Sequence, residues 1–487
     1  MTTQDTMSAT EIVATFSNKT FKQLINGELV SGSTSQPVIN PSTGNTFATA
    51  PVANHDDVES AVAAAKQAFK TWRHTSITQR EKVIRTLISE IEVRHEEIAY
   101  LVALELGKPL SGAQTDVELG LTWARELVDS QLHFLEPTLV RDTDTERIEV
   151  HYQPAGIVAA IVPWNFPFFQ TMYKLVPALL AGNSLVIKPA PTSPLNAMLL
   201  AELLAPLVPA GVVNIIGDSG DVGPQLSNHP DIDHISFTGS TAVGRKIVEN
   251  SAETLKRVVL ELGGNDAAIV LEDADIEVAA DGIYTFAFTN SGQVCINIKR
   301  IFVPSTMHDE FVEAMGERVR RAKVGDALDP QTELGPIQNE RQFERVKGYL
   351  ETAKRDGTIV AGGNVINRPG YFVEPTLVTD VDPASSLINE ETFGPIRSII
   401  AYDSIEQAIQ QANETHYGLG NSIWAKDIDK AAKIATELES GTVWINNHFA
   451  LAPDVPFGGQ KQSGLGAEFG REGLLEFTEM KVINITK

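Results

Sequence analysis

The chain has 487 residues, several times what one hydrophobic core needs, so its length implies two or three packed units. Hydrophobic residues make up 43% and charged residues 21%, a globular composition, and no apolar run approaches the ~18 residues of a membrane span. The formal charge of −24 is spread along the chain as a solvated acidic surface, which argues against nucleic acid and anionic membranes as partners.

The N-terminal stretch MTTQDTMSATEIVATFSNKT lacks a basic region followed by an apolar one, and a single cysteine cannot form an internal disulfide. Both facts lead to the expectation of a cytoplasmic, reducing compartment. Residues 57 to 107, DVESAVAAAKQAFKTW and then ITQREKVIRTLISEIEVRHEEIAYLVALELGK, place apolar side chains at three- and four-residue spacing, with Gly107 as a stop. An amphipathic helical layer is predicted there. TERIEVHYQ, residues 145 to 153, and the C-terminal LEFTEMKVINITK alternate as strands do. Each would leave a free edge in a lone subunit, so both are expected to make subunit contacts. From residue 154 the short apolar runs GIVAAIVPW, NSLVIKP, VVNIIGD and HISFTG alternate with helical stretches, the pattern of a mostly parallel α/β sheet. A second α/β segment follows with AAIVL, IFVPS and a helix at 308 to 323, its boundary expected within GGND at 263 to 266.

Five stretches could carry chemistry. Cys295, in TNSGQVCINIKR, is either a small buried hydrophobe or a reactive thiol. Gly292 permits a close backbone approach, and if INI opened a helix the thiol would sit near its positive end, which favours a thiolate. In PWNFP, residues 163 to 167, two prolines stiffen the chain after a strand and aim Asn165 at its carboxyl end, where ligands of such sheets gather; the alternative is a helix-capping Asn. Glu261 in LELGG is flanked by leucines, and desolvation would raise its pKa toward that of a general base unless it faces water from an edge strand. FTGSTAVGRKI offers a helix start to a pyrophosphate, and VIKP places Lys188 to reach a ribose or phosphate unless it is merely solvated.

In this order PWNFP, VIKP, FTGSTAVG, LELGG, GQVC, ETFGP (391 to 395) and PFGGQKQSGLG (456 to 466) resemble the NAD(P)-dependent aldehyde dehydrogenase superfamily, from about residue 25 to the C-terminus. The resemblance implies an α/β fold: a Rossmann-like cofactor domain (1–130 and 154–262), an α/β catalytic domain (263–460) and a small β oligomerisation arm (131–153 and 470–487) in a homodimer or homotetramer. It assigns Cys295 as nucleophile, Asn165 with the Cys295 N–H as oxyanion donors and Glu261 as the base for water, and it counts Lys174 with the catalytic set. Ile161, Trp164, Lys188, Gly239, Ser240, Leu262, Glu391 and Phe393 become cofactor contacts, Lys188 and Glu391 at the two riboses. No metal is expected.

The chain departs from that pattern twice. Many NAD-preferring relatives read K-P-x-E where this chain has Lys188, Pro189, Ala190 and Pro191, so a built-in rejection of NADP is missing; NAD or NADP is expected, with NAD ahead by a small margin. In GAEFGRE, residues 466 to 472, the arginine often found directly after the glycine is absent, and no catalytic meaning attaches to that. Phe166, Gln170, Tyr173, Val294, Ile296, Phe449 and Leu451 are expected to line an aldehyde tunnel, pointing to a medium aliphatic or aromatic aldehyde. Semialdehyde-oxidising relatives often carry an arginine where this chain has Tyr173, and CoA-acylating relatives usually lack the glutamate matching Glu261. Those two activities are the alternatives.

Overall fold

The computed structural model describes residues 8–487. Met1 to Met7, at the head of both the stretch read as leaderless and the expected cofactor domain, lie outside the described residues. Among the described residues no helix is long and apolar enough to cross a membrane.

Two mixed sheets organise the chain. The larger has eight strands, and its five central ones, in the order Val213–Ile215, Ser184–Lys188, Ile157–Ile161, His234–Thr238 and Arg257–Glu261, run parallel. The Ile157–Ile161, Ser184–Lys188 and His234–Thr238 runs are buried at every position because helices cover both faces, which is why they read as continuous apolar segments rather than alternating ones. From Ile157–Ile161 the chain adds strands on one side, then crosses to the other with His234–Thr238. A crevice opens where the order reverses, between the carboxyl ends of those two strands. The loops there are PWNFP and TGS.

The second sheet has seven strands; six, from Thr376–Thr379 to Thr442–Ile445, are parallel, and Thr358–Ala361 pairs antiparallel at one edge. The chain passes from one sheet to the other between Glu261 and Asp266. Helical periodicity reads through to His55–Trp72, Ile77–Val93 and His95–Leu106, the last closed by Gly107 at φ +74°, and to His308–Arg321.

One expectation needs correcting. Glu146–Pro154 is not a free edge: it is the middle strand of a three-stranded sheet, covered by Thr138–Asp142 on one side and Thr478–Thr486 on the other. Its alternation reflects two half-buried faces. The outer strands keep Leu139, Val140, Met480, Val482 and Ile485 exposed.

A buried ion pair fixes PWNFP. The helix Pro167–Ala181 starts after Phe166, which has no oxygen to cap it, and Asp116 Oδ1 accepts the Phe169 N–H at 2.8 Å instead. Asp116 Oδ2 meets Lys108 Nζ at 3.0 Å, and that ammonium lies 3.7 Å from the centre of the Phe166 ring. Burial pushes the Asp116 carboxyl up and the Lys108 ammonium down, and their attraction opposes both shifts. Removing one partner strands the other charge, so Asp116→Ala should cost about 3 to 5 kcal/mol in chemical denaturation, and Lys108→Met/Asp116→Leu distinctly less. A loss below about 1 kcal/mol for the single variant would show that the pair carries little of this stability.

Candidate active site

Cys295 does not open a helix. The helix Ile276–Phe288 ends, Asn290, Ser291 and Gly292 take left-handed conformations in succession (φ +53°, +54° and +73°), and Cys295 lies in the turn before the strand Ile298–Pro304. Three left-handed residues cannot continue a right-handed helix, and the apolar run after Cys295 belongs to a parallel strand. Gly292 is required there: a Cβ would lie 2.2 Å from Gly394 O and 2.5 Å from Arg397 Nη2. The turn is pinned by Asn297, whose Oδ1 accepts the Val294 N–H at 2.8 Å while Nδ2 donates to Phe286 O at 2.7 Å.

The thiol is half-buried, and burial pushes it up to about 12. Lys299 pulls it down; the carboxylates of Glu391, Glu261 and Asp266 push it further up. Asn165 comes to its side: Nδ2 donates to Gln293 O at 3.1 Å, and Oδ1 accepts from Gln170 Nε2 at 3.3 Å. One Nδ2 hydrogen remains free. Glu261 ends its strand in the sheet interior, with neighbouring strands on both sides, so it does not face water from an edge. Neither of its oxygens has a hydrogen-bond partner among the described residues. Burial raises its pKa well above the ordinary carboxylate range, Glu468 adds to the rise, and Lys174 opposes it.

Behind Glu261, Lys174 Nζ donates to Ser236 Oγ and to Glu468 Oε1, both at 2.8 Å. Glu468 belongs to GAEFGRE and carried no role in the sequence reading. Its lysine partner lies 294 residues away, and no local spacing joins them.

Two cavities meet at Cys295. One encloses about 100 Å³ and is lined by Asn165, Cys295 and Glu261 together with the expected Phe166, Gln170, Tyr173, Val294, Ile296, Phe449 and Leu451. Sequence reasoning missed Leu119, Trp123, Phe169, Thr238, Phe457 and Phe469, which complete its wall. Trp123, Phe169, Tyr173 and Phe469 pack edge-on or tilted, with ring centres 4.9 to 6.0 Å apart. The Tyr173 hydroxyl donates to Gln170 Oε1 at 3.2 Å.

The other cavity, about 160 Å³, shares Asn165, Thr238 and Cys295 and adds the expected Trp164, Gly239, Ser240, Leu262, Glu391 and Phe393, with Gln342 and Arg345 unforeseen. Trp164 and Phe393 meet edge-on at 5.3 Å. Ile161 and Lys188 sit side by side at the carboxyl ends of adjacent strands, outside this lining. Lys188 is buried, not solvated, and Nζ donates to Asp218 Oδ2 at 2.7 Å. The residues of the second cavity suit one end of a dinucleotide. The helix Thr241–Ser251 begins at its wall, Glu391 offers an acceptor for ribose hydroxyls, and a Cβ at Gly263 would lie 2.4 Å from Glu391 Oε2.

The sequence model of the aldehyde dehydrogenase family matches residues 29–483. A mitochondrial aldehyde dehydrogenase of Leishmania tarentolae is 40% identical over 474 residues, 95% of this chain and 94% of that one. Retinaldehyde dehydrogenase 3 of Homo sapiens is 37% identical, covering 92% of this chain and 88% of its own length. Among solved structures, the NAD+ complex of an aldehyde dehydrogenase from Bacillus cereus aligns with a TM-score of 0.95 at 35% identity over 99% of both chains. Betaine aldehyde dehydrogenase from Staphylococcus aureus in complex with NAD+ gives 0.94 at 32% identity, covering 98% of this chain and 97% of that one.

A thiol with so high a pKa ionises by a small fraction at neutral pH. Without added cofactor, alkylation of Cys295 by iodoacetamide, followed by mass, should accelerate about tenfold per pH unit between roughly pH 7 and 10. A plateau above about pH 8.5 would mean that the thiol is ordinary.

Proposed function

Because this chain belongs to the aldehyde dehydrogenase family, we propose that it oxidises an aldehyde to the carboxylic acid with NAD or NADP, using Cys295 as nucleophile. The observation that carries this reading is the shared wall: Cys295 and Asn165 border both the apolar cavity and the one where the helix Thr241–Ser251 begins. A carbonyl held there touches the sulfur from one side and faces the cofactor cleft on the other.

In its thiolate form, its proton given up to solvent, the Cys295 sulfur adds to the carbonyl carbon and puts a negative charge on oxygen, which the free Asn165 Nδ2–H and the Cys295 N–H receive. When bound, the nicotinamide supplies the two-electron acceptor that brings the sulfur-bound carbon to the thioester level. Water then attacks the thioester carbon, Glu261 takes the water's proton, and the sulfur departs as the acid forms. With no hydrogen bond to either oxygen, the Glu261 carboxylate is open to that proton. Lys174 behind it lowers the cost of ionising it. Trp164, Gly239, Ser240, Leu262, Glu391 and Phe393 would hold the cofactor, with Ile161 and Lys188 further along the same strand ends. Asp218 keeps a carboxylate beside Lys188 although residue 191 is proline, which supports NAD ahead of NADP.

The lining of the aldehyde cavity contains no Lys, Arg or His among the described residues, so an acid-tailed semialdehyde has no counter-ion there. A wall of aromatic and aliphatic groups around about 100 Å³ favours a medium aliphatic or aromatic aldehyde, and such walls discriminate by only about 1 to 3 kcal/mol per methylene. An intact Glu261 favours water over CoA as the group that resolves the thioester. The same reading makes the three-stranded sheet a subunit contact in a cytoplasmic dimer or tetramer.

The test is reduced-cofactor absorbance with each dinucleotide over an aldehyde panel, with CoA omitted. NAD-dependent oxidation of unbranched or aromatic aldehydes is expected; succinate semialdehyde as clearly the best substrate, or a requirement for CoA, would overturn the reading. Asn165→Ala should lower kcat about a hundredfold or more. Glu261→Gln should give one stoichiometric burst and then stall, whereas Cys295→Ala should give neither burst nor turnover.

A further inference from the structure

A buried cation beneath the Cys295 turn is unused by the chemistry above. Lys299, the second residue of the strand Ile298–Pro304, is 1% exposed. Its Nζ donates to Val294 O at 3.2 Å and to Cys295 O, and lies 3.9 Å from Glu391 Oε1. Val294 C=O and Cys295 N–H belong to one planar trans peptide, so they point in opposite directions. An ammonium that grips the carbonyl thereby sets where the N–H points.

Packing alone does not account for a lysine here, since a buried ammonium is costly and an apolar side chain would fill the same space. Four charged groups face the thiol. Lys299 comes from the strand that follows it, Glu261 from the end of the larger sheet, Asp266 from the neighbouring strand, and Glu391 from the loop before Ile396–Tyr402. Lys299 is the one cation among them. Glu391 Oε1 also accepts the Gly264 N–H at 3.2 Å, so the carboxylate is held from two sides.

We propose that Lys299 is a positioning residue: it aims the Cys295 N–H at the developing oxyanion and ties that peptide to Glu391, the carboxylate read as a ribose ligand. This rests on the assignment of Cys295 as nucleophile and goes beyond it, because it names what orients the second oxyanion donor and couples that donor to the cofactor cleft. Burial draws the Lys299 ammonium below its ordinary value, and Asp266, Glu391 and the thiol itself pull it back. Its charge also favours the Cys295 thiolate.

Lys299→Met and Lys299→Gln in the full-length protein test this. Lys299→Met should lower kcat about tenfold or more with the aldehyde KM changed by less than about threefold, and should raise the KM for NAD. Alkylation of Cys295 by iodoacetamide should slow at every pH between roughly 7 and 10, because loss of the positive charge raises the thiol further. Lys299→Gln keeps a donor for Val294 O, so it should recover part of kcat while keeping the slow alkylation. Parent-like kcat in both variants, or a parent-like alkylation profile in either, would overturn the proposal. Should Lys299→Met fail to fold, Lys299→Gln alone decides, with slower alkylation supporting the proposal and a parent-like profile overturning it. A parent protein without NAD-dependent aldehyde oxidation would instead overturn the assignment of the site, an outcome distinct from active parent and unaltered variants.

Discussion

A carboxyl and a thiol taken out of water resist ionisation, and the seam between the two sheets imposes that resistance on Glu261 and Cys295 together. Glu261 is the last residue of a strand in one sheet, and Cys295 sits three residues before a strand of the other. Neither sheet could hold both. Glu261 and Cys295, the pair to which the proposal gives the chemistry, come together across the place where the chain passes between sheets within four residues, Leu262 to Asn265, and the same crossing carries Gly263 past Glu391. Fold and chemistry share one constraint: the groups must be dry enough to be poised, yet close enough to opposite charge to change protonation during turnover.

The ammoniums that relieve this burial, Lys174 for Glu261 and Lys299 for Cys295, line neither cavity. Lys174 with Glu468 lies behind Glu261, Lys299 with Glu391 under Cys295, and Lys108 with Asp116 beneath Asn165's loop. Lys174 and Glu468 are 294 residues apart and Lys299 and Glu391 belong to different segments, whereas Lys108 and Asp116 are only eight residues apart. A buried pair is weak evidence for stability, since an apolar replacement often does as well. Three such pairs under three neighbouring groups are better understood as the means of fixing orientation and local potential where the reaction occurs.

Much of this was legible in the sequence, and the limits have physical causes. Continuous apolar runs ending in Lys188 and Thr238 announced buried parallel strands, and the motif order located Cys295, Asn165 and Glu261, which the fold brings around one cavity. The conformation at Cys295 was ambiguous because INIKRIFV satisfies a short strand and a helix turn alike. Glu146–Pro154 was misplaced at an edge because alternation along a strand does not report whether that strand has neighbours. Trp123, Phe469 and Glu468 were invisible for a different reason. They reach the site from a helix far upstream and a loop near the C-terminus, and nothing in their own neighbourhood signals it.

The apolar wall has a consequence for direction as well as for choice of substrate. An aldehyde enters uncharged and loses little by leaving water for a cavity of Trp123, Phe169, Phe457 and Phe469. The acid made from it ionises at neutral pH, and a carboxylate in that cavity would find no cationic side chain among the described lining residues and the Glu261 carboxyl beside it. The proposed oxidation thus turns a well-tolerated occupant into one that the same walls disfavour. In the proposed sequence the sulfur is freed as the charge appears, so the step that ends the covalent bond also creates the electrostatic reason for the product to leave. A cation in the wall to grip an acid-tailed substrate would remove that asymmetry, because it would hold the product at least as firmly as the substrate.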